Sequence, residues 1–138
     1  MTQLKSLSSE LVRAEVARYW NAFIGKHGEE LSAFYASESS VFGSLSRRPE
    51  PGRLAAARRI REYFGPRCVL RAQCGPIEVV LLGDSAAVAS YIFEFHAEQN
   101  ATAGGEAEHI QHGRCTQVFA LDPDGQLKIF HEHMSLPL

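Results

Sequence analysis

Cysteine is scarce in this chain, with three in 138 residues. Cys68 and Cys74 fall on one extended stretch, which sets them roughly 20 Å apart, too far for a disulfide. Free thiols point to a reducing compartment, so a cytoplasmic location is expected. Long hydrophobic runs are missing: none approaches the ~20 residues of a membrane span. The first eleven residues lack the apolar core of a secretion signal, so Asn100-Ala101-Thr102 is not expected to act as a glycosylation site. Charge of one sign is also lacking. The net charge is −2, which favours neither nucleic acid nor an acidic membrane surface. There is no Walker loop, GxGxxG, nucleophile elbow or CxxC. These absences argue against nucleotide hydrolysis, dinucleotide-dependent redox, serine hydrolase and thiol-redox chemistry, and no cofactor is expected. No repeat and no linker divides the chain, so 1–138 reads as one domain. Hydrophobic residues make up 45%, enough to bury a core without disulfides or metals.

Helical spacing comes first. Ser8 or Ser9 can cap a helix that carries Val12, Val16, Tyr19, Trp20 and Phe23 on one side and stops at Gly25 and Gly28. A second helix is expected over 29–36, with Leu31, Phe34 and Tyr35 as its apolar side. A short strand over 39–44 and a proline-rich loop over 46–52 follow. A third helix is expected over 53–64, with Leu54, Ala57, Ile60 and Phe64 facing inward. Everything after Gly65-Pro66 reads as strand: 67–74, 77–82, 85–98, 106–121 and 127–135. Helices followed by a meander predict an α+β fold with an antiparallel sheet. Within 85–98, Ala87, Ala89, Tyr91, Phe93 and Phe95 form the core-facing phase.

The last hairpin carries the candidate chemistry. Asp122-Pro123-Asp124-Gly125 fits a three-residue loop with glycine in the left-handed position. Counting outward pairs Phe119 with Ile129, Gln117 with His131 and Cys115 with His133. Leu121 and Leu127 make this the inner face, so both histidines are expected inside. The other face pairs Val118 with Phe130, Thr116 with Glu132 and Arg114 with Met134. Val118, Phe130 and Met134 there suggest a subunit interface. A two-residue or four-residue loop would swap these pairs.

The chain resembles the SnoaL-like branch of the nuclear transport factor 2-like superfamily, which includes ketosteroid isomerase and the association domain of calcium/calmodulin-dependent kinase. The resemblance rests on Ala17-Arg18-Tyr19-Trp20-Asn21-Ala22-Phe23, the run from Leu31 through Ser40-Val41-Phe42, Gly83-Asp84-Ser85-Ala86-Ala87-Val88-Ala89, Gly113-Arg114-Cys115-Thr116, Asp124-Gly125 and His131-Glu132-His133-Met134-Ser135 before Pro137. It implies a cone: a curved antiparallel sheet around three N-terminal helices, a pocket between the first helix and the concave face, and dimers through the sheets. Isomerases, dehydratases, cyclases and oligomerisation modules share this cone, so the fold leaves function open. Ketosteroid isomerase uses an aspartate base with a tyrosine and a protonated aspartate as oxyanion donors. Tyr19 matches that tyrosine, but Gly43 stands at the base position and Thr116 near the second donor, which excludes that chemistry. The kinase association domain also ends in His-x-His-x-Ser and is not catalytic.

Two functions follow. The first is a pocket for a compact, mostly apolar carbonyl or carboxylate compound, with isomerase-like or dehydratase-like acid/base chemistry. Here His131 and Tyr19 are the catalytic candidates. Gln117 orients, and Trp20, Tyr35, Phe42, Tyr91, Phe93 and His133 line the site. The second is a non-catalytic dimerisation or ligand-binding domain, its histidines satisfied by Gln117 or backbone. A chamber of about 300 Å³ reached by both His131 and Tyr19 distinguishes the first. No metal is expected, because a lone His-x-His lacks a third ligand. Arg47, Arg48, Arg53, Arg58, Arg59, Arg61, Arg67 and Arg71 cluster without interleaved aromatics and read as solvated faces.

Overall fold

The computed structural model describes residues 6–22, 24, 27–43, 46–59, 67–99 and 109–135. Ser8 accepts a hydrogen bond from the Leu11 amide at 3.2 Å and caps α1, Ser9–Asn21, satisfying one of the donors that a helix start leaves open. Val12, Val16, Tyr19 and Trp20 are its buried side, as helical spacing predicts. Phe23 and Gly25 lie outside the described residues.

The second helical segment is a 3-10 helix, His27–Phe34, rather than an α-helix reaching residue 36. Leu31 and Phe34 are both buried, three apart, where a 3-10 helix superimposes its side chains. The chain turns into strand earlier than expected, and β1 is Tyr35–Phe42. A short β2, Glu50–Pro51, leads into α2, Gly52–Arg59. Arg58 of α2 pairs with Glu50.

The buried face of α2 differs from the expected one. Leu54 is 65% exposed and Ala57 is exposed, whereas Ala55 and Ala56 are buried. Ile60 and Phe64 lie outside the described residues. Helical periodicity picks out large apolar residues, but this helix docks closely and needs small ones. A Cβ on Gly52 would lie 2.3 Å from Ser39 Oγ and 2.7 Å from Tyr35 Cδ1, so glycine here sets the approach of α2 to β1.

The remaining strands are β3 (Arg67–Cys74), β4 (Glu78–Leu82), β5 (Ala86–Gln99), β6 (His109–Leu121) and β7 (Leu127–Ser135). The sheet runs β2-β1-β7-β6-β5-β3, with β4 also on β5. The long β5 takes β4 along one half and β3 along the other, and Gly75 between them donates to the Ile92 carbonyl at 2.8 Å. The expected all-antiparallel sheet is corrected in one place: β1 pairs with β7 in parallel, so the sheet is mixed. The described helices are two α-helices and the 3-10 helix. The curved sheet carrying them is the expected α+β cone.

In β5 the expected phase is buried: Ala87, Ala89, Tyr91, Phe93 and Phe95. Phe93 stacks on Trp20 of α1 at 4.6 Å between centroids. Burying each such side chain contributes about 1.5–3 kcal/mol, so α1 is held to the inner face mainly by these rings.

Candidate functional site

The β6–β7 loop forms as expected. Gly125 has φ 77°, the Gly125 amide donates to the Asp122 carbonyl at 2.9 Å, and the Asp122 amide donates to Gln126 at 2.8 Å. Pairing follows the prediction through Leu121–Leu127 and Phe119–Ile129. It then slips. Val118 pairs with His131, leaving Phe130 as an extra residue in β7. Such a bulge reverses the facing of every residue beyond it. Gln117 therefore pairs with Glu132, Thr116 with His133, Cys115 with Met134 and Arg114 with Ser135.

The bulge has a partner across the sheet. Between Tyr35–Ile129 and Ser40–His131, β1 spends residues 36–39 against Phe130 alone. Ser39 Oγ ties this looped stretch down, donating to the Ala36 carbonyl at 2.8 Å and accepting from the Gly52 amide at 3.1 Å.

The slip overturns part of the expected site. His131 and His133 leave the inner face: His131 is half-buried and His133 is exposed. His131 Nδ1 lies 2.8 Å from Ser40 Oγ. Phe42 goes with them, its ring 6.3 Å from His131 and 5.8 Å from His133, and lines no inner chamber. Met134 packs against the core rather than an interface. Phe130 is half-buried in the bulge. Of the expected interface residues, Val118 remains on the outer face.

In their place Glu132 enters the interior, fully buried. Tyr35 donates to both its carboxylate oxygens at 3.0 Å. Gln117 Nε2 donates to Oε1 at 2.8 Å. Tyr91 OH donates to Gln117 Oε1 at 2.6 Å, and Trp20 Nε1 donates to Tyr91 OH at 2.9 Å. Tyr19 OH lies 2.7 Å from Tyr35 OH. The polarity follows from the groups. An indole N–H only donates, and the single Tyr35 proton is used on Glu132, so Tyr19 donates to Tyr35. Two chains of donors thus converge on one carboxylate. Burial holds the Tyr91 hydroxyl well above its usual range, reinforced by Cys115 and Glu132.

Tyr19, Trp20, Tyr35, Tyr91, Phe93 and Gln117 are therefore brought together, with Trp20 and Phe93 stacked beside the polar chain. Glu132 is the member the sequence analysis had placed outside. Its signal was the phase Phe130, Glu132, Met134, more apolar than the histidine phase. Tyr19 and His131 do not share a chamber. A hollow of about 660 Å³ opens instead beside the looped stretch of β1, lined by Ala36, Glu38, Arg53, Leu121, Asp124 and Phe130 among others.

No family model matches the chain, and no curated protein matches it. Solved structures do. A nuclear transport factor 2-like superfamily protein from Salmonella enterica superposes with TM-score 0.73 at 23% identity, covering 94% of this chain and 90% of that one. A protein from Xanthomonas campestris, provisionally named a calcium/calmodulin-dependent protein kinase II association domain, gives 0.74 at 17%, covering 99% and 97%. A Catenulispora acidiphila protein in complex with S-DNPA gives 0.69 at 18%, covering 92% and 95%. The chain has the nuclear transport factor 2-like fold. Identities this low carry the fold alone.

Proposed function

We propose that the chain is a small-molecule-binding protein of the SnoaL-like type. The observation that carries this reading is the fully buried Glu132, on which Tyr35 and Gln117 converge. Enclosing a carboxyl group costs several kcal/mol unless its oxygens are hydrogen-bonded, and here they accept from Tyr35 and Gln117. An apolar residue would pack this position at lower cost. Glu132 takes the acid/base part first assigned to His131, with Tyr19 and Tyr35 as hydroxyl donors and Gln117 as the group that orients the carboxylate. Carboxyl, hydroxyl and amide groups together suit a carbonyl compound, whose oxygen accepts a hydrogen bond. The ligand complex of the Catenulispora protein supports a small-molecule role for this fold.

The protein works as one domain and as a homodimer through the outer sheet face. On that face Val80 is 59% exposed, Leu82 52% and Ile92 64%, and Val118 lies alongside. The half-buried thiol of Cys74 and the buried thiol of Cys115 suit the cytoplasm. No helix of the described residues is long and apolar enough to cross a membrane.

Native mass spectrometry of freshly purified protein tests the ligand reading. A non-covalent adduct is expected in the wild type and is lost in Glu132→Gln. Fluorescence of Trp20, the single tryptophan, should change when a neutral ketone enters, because its indole N–H is tied into the chain of donors. A wild type with no adduct and no fluorescence response to ketones overturns the ligand reading. That outcome favours the second function, a non-catalytic dimerisation domain, for which the Trp20–Phe93 stack and the enclosed donor chain speak.

A further inference from the structure

The slips in β1 and β7 border the hollow of about 660 Å³, which lies between the looped stretch of β1, the start of α2 and the β6–β7 turn. Its volume falls in the range that holds small ligands, about 300–1,000 Å³. Among the described residues it shares no lining with Glu132 and its partners, so it is a second place in the molecule. Its walls are charged, and the charges do not meet. Arg53 comes from α2, Glu38 from β1, and Asp122 and Asp124 from the turn. A guanidinium and a carboxylate free to approach form a forked pair. Among the described residues, Arg53 forms no ion pair with any of the three.

Each wall is held in place from its own side. Arg53 Nε donates to the Tyr35 carbonyl at 3.1 Å, which leaves the terminal N–H groups of the guanidinium for a ligand. Asp122 Oδ1 accepts from the Asp124 and Gln126 amides, both at 2.9 Å, and fixes the turn. Ser39 fixes the looped stretch. The carboxylates of Glu38 and Asp124 have no partner among the described residues. Leu121 and Phe130, both half-buried, supply an apolar wall. A bare metal ion needs its donors at one point, and no three carboxylates converge so among the described residues. A simple anion would meet three carboxylates, and a simple amine would leave Arg53 facing a like charge. A molecule with both an ammonium and a carboxylate satisfies the two signs together. One guanidinium against three carboxylates leaves negative charge in excess, which favours a ligand with a second cationic group.

We propose that this hollow binds a basic amino acid, with its carboxylate on Arg53, its cationic groups among Glu38, Asp122 and Asp124, and its methylenes along Leu121 and Phe130. The test is isothermal titration calorimetry of the full chain with L-lysine, L-leucine and cadaverine, which is lysine without its carboxylate. The wild type is expected to bind lysine at least tenfold more tightly than either of the others, since each lacks one charged group and its hydrogen bonds. Arg53→Gln should weaken lysine binding at least tenfold and leave cadaverine binding no weaker. The double variant Glu38→Gln/Asp124→Asn should weaken both lysine and cadaverine. Its far-UV circular dichroism should match the wild type, because neither side chain carries a hydrogen bond of the fold. The double variant therefore decides the matter even where Arg53→Gln loses structure along with its bond to the Tyr35 carbonyl. A wild type that binds no lysine at millimolar concentration overturns the proposal. So does lysine binding that the double variant leaves unmoved. Cadaverine or leucine bound as tightly as lysine overturns it as well, the first by showing an acidic surface that attracts any amine.

Discussion

Along β5 the two faces of one sheet can be compared residue by residue. Ala87, Ala89, Tyr91 and Phe93 point inward and are buried, while Val88, Ser90 and Glu94 between them are half-buried and Ile92 is 64% exposed. The inner face is densely filled, and its polar atoms lie in chains of hydrogen bonds: Tyr91 serves both Trp20 and Gln117, and Glu132 serves Tyr35 and Gln117. The outer face instead leaves apolar groups such as Ile92, Val80 and Leu82 in water. A buried polar group needs a partner in its own chain, whereas an exposed apolar group can find one in another molecule. The inner face therefore governs stability, whereas the outer face is where the proposed association would form.

The strongest way to break this comparison is on the inside. Trp20→Ala removes the ring stacked on Phe93 and the donor to Tyr91, and should cost about 3–5 kcal/mol in urea denaturation. If it costs no more than an exposed-surface change, the inner face is not the folding core. Next comes Glu132→Ala, which leaves the Tyr35 hydroxyl and the Gln117 amide without their acceptor. About 1–3 kcal/mol should be lost for stranding those donors, and Glu132→Gln should restore much of it. Equal losses in the two variants would show that the hydrogen bonds are not the cause.

Gly52→Ala probes the same network from α2. Its Cβ would push Tyr35 and Ser39, whose nearest atoms lie 2.7 Å and 2.3 Å away, and should cost about 1–3 kcal/mol. Near-UV circular dichroism should change as well, because Tyr35 carries the displacement. An unaltered tyrosine spectrum would mean that α2 moves instead.

The pH dependence is smaller. Burial raises the Tyr91 hydroxyl above its ordinary value, so the folded state holds that proton more tightly than the unfolded chain does. The resulting stability is complete below the unfolded tyrosine value of about 10 and is lost as pH rises through the higher folded value. Tyr91→Phe should flatten the decline of stability above about pH 10, read as the denaturation midpoint against pH. The smallest effect on folding belongs to the outside. Ile92→Asp should change monomer stability by no more than about 0.5 kcal/mol and still shift a dimer to monomer in sedimentation. Unchanged association would remove Ile92 from the interface.

Local pattern was enough for much of this. Ser8 announced the start of α1, and Asp122 to Gly125 announced the hairpin with glycine in the left-handed position. The alternation of Ala87, Ala89, Tyr91 and Phe93 oriented β5, because nothing interrupts its period of two. Tyr19, Trp20, Tyr91, Phe93 and Gln117 were legible because each sits on a long element whose period is unbroken at that point, whereas Tyr35, expected on a helix, opens β1 instead. The face of α2 was misread, since size and hydropathy favour Leu54 while close docking against Tyr35 favours Ala55, Ala56 and Gly52. The 3-10 helix was misread in type, because Leu31 and Phe34 fit either helical period.

The amino-acid order by itself determined the strands from β3 to β7, their turns and the apolar phase of each uninterrupted segment, all of which depend on neighbours a few residues apart. Only the tertiary structure decided which side of β7 meets the core beyond Ile129. The single extra residue at Phe130 answers to β1, almost a hundred positions earlier, pairing in parallel with a slip of its own. A register shift set by so distant a strand leaves no local trace, and it put Glu132 inside and both histidines out.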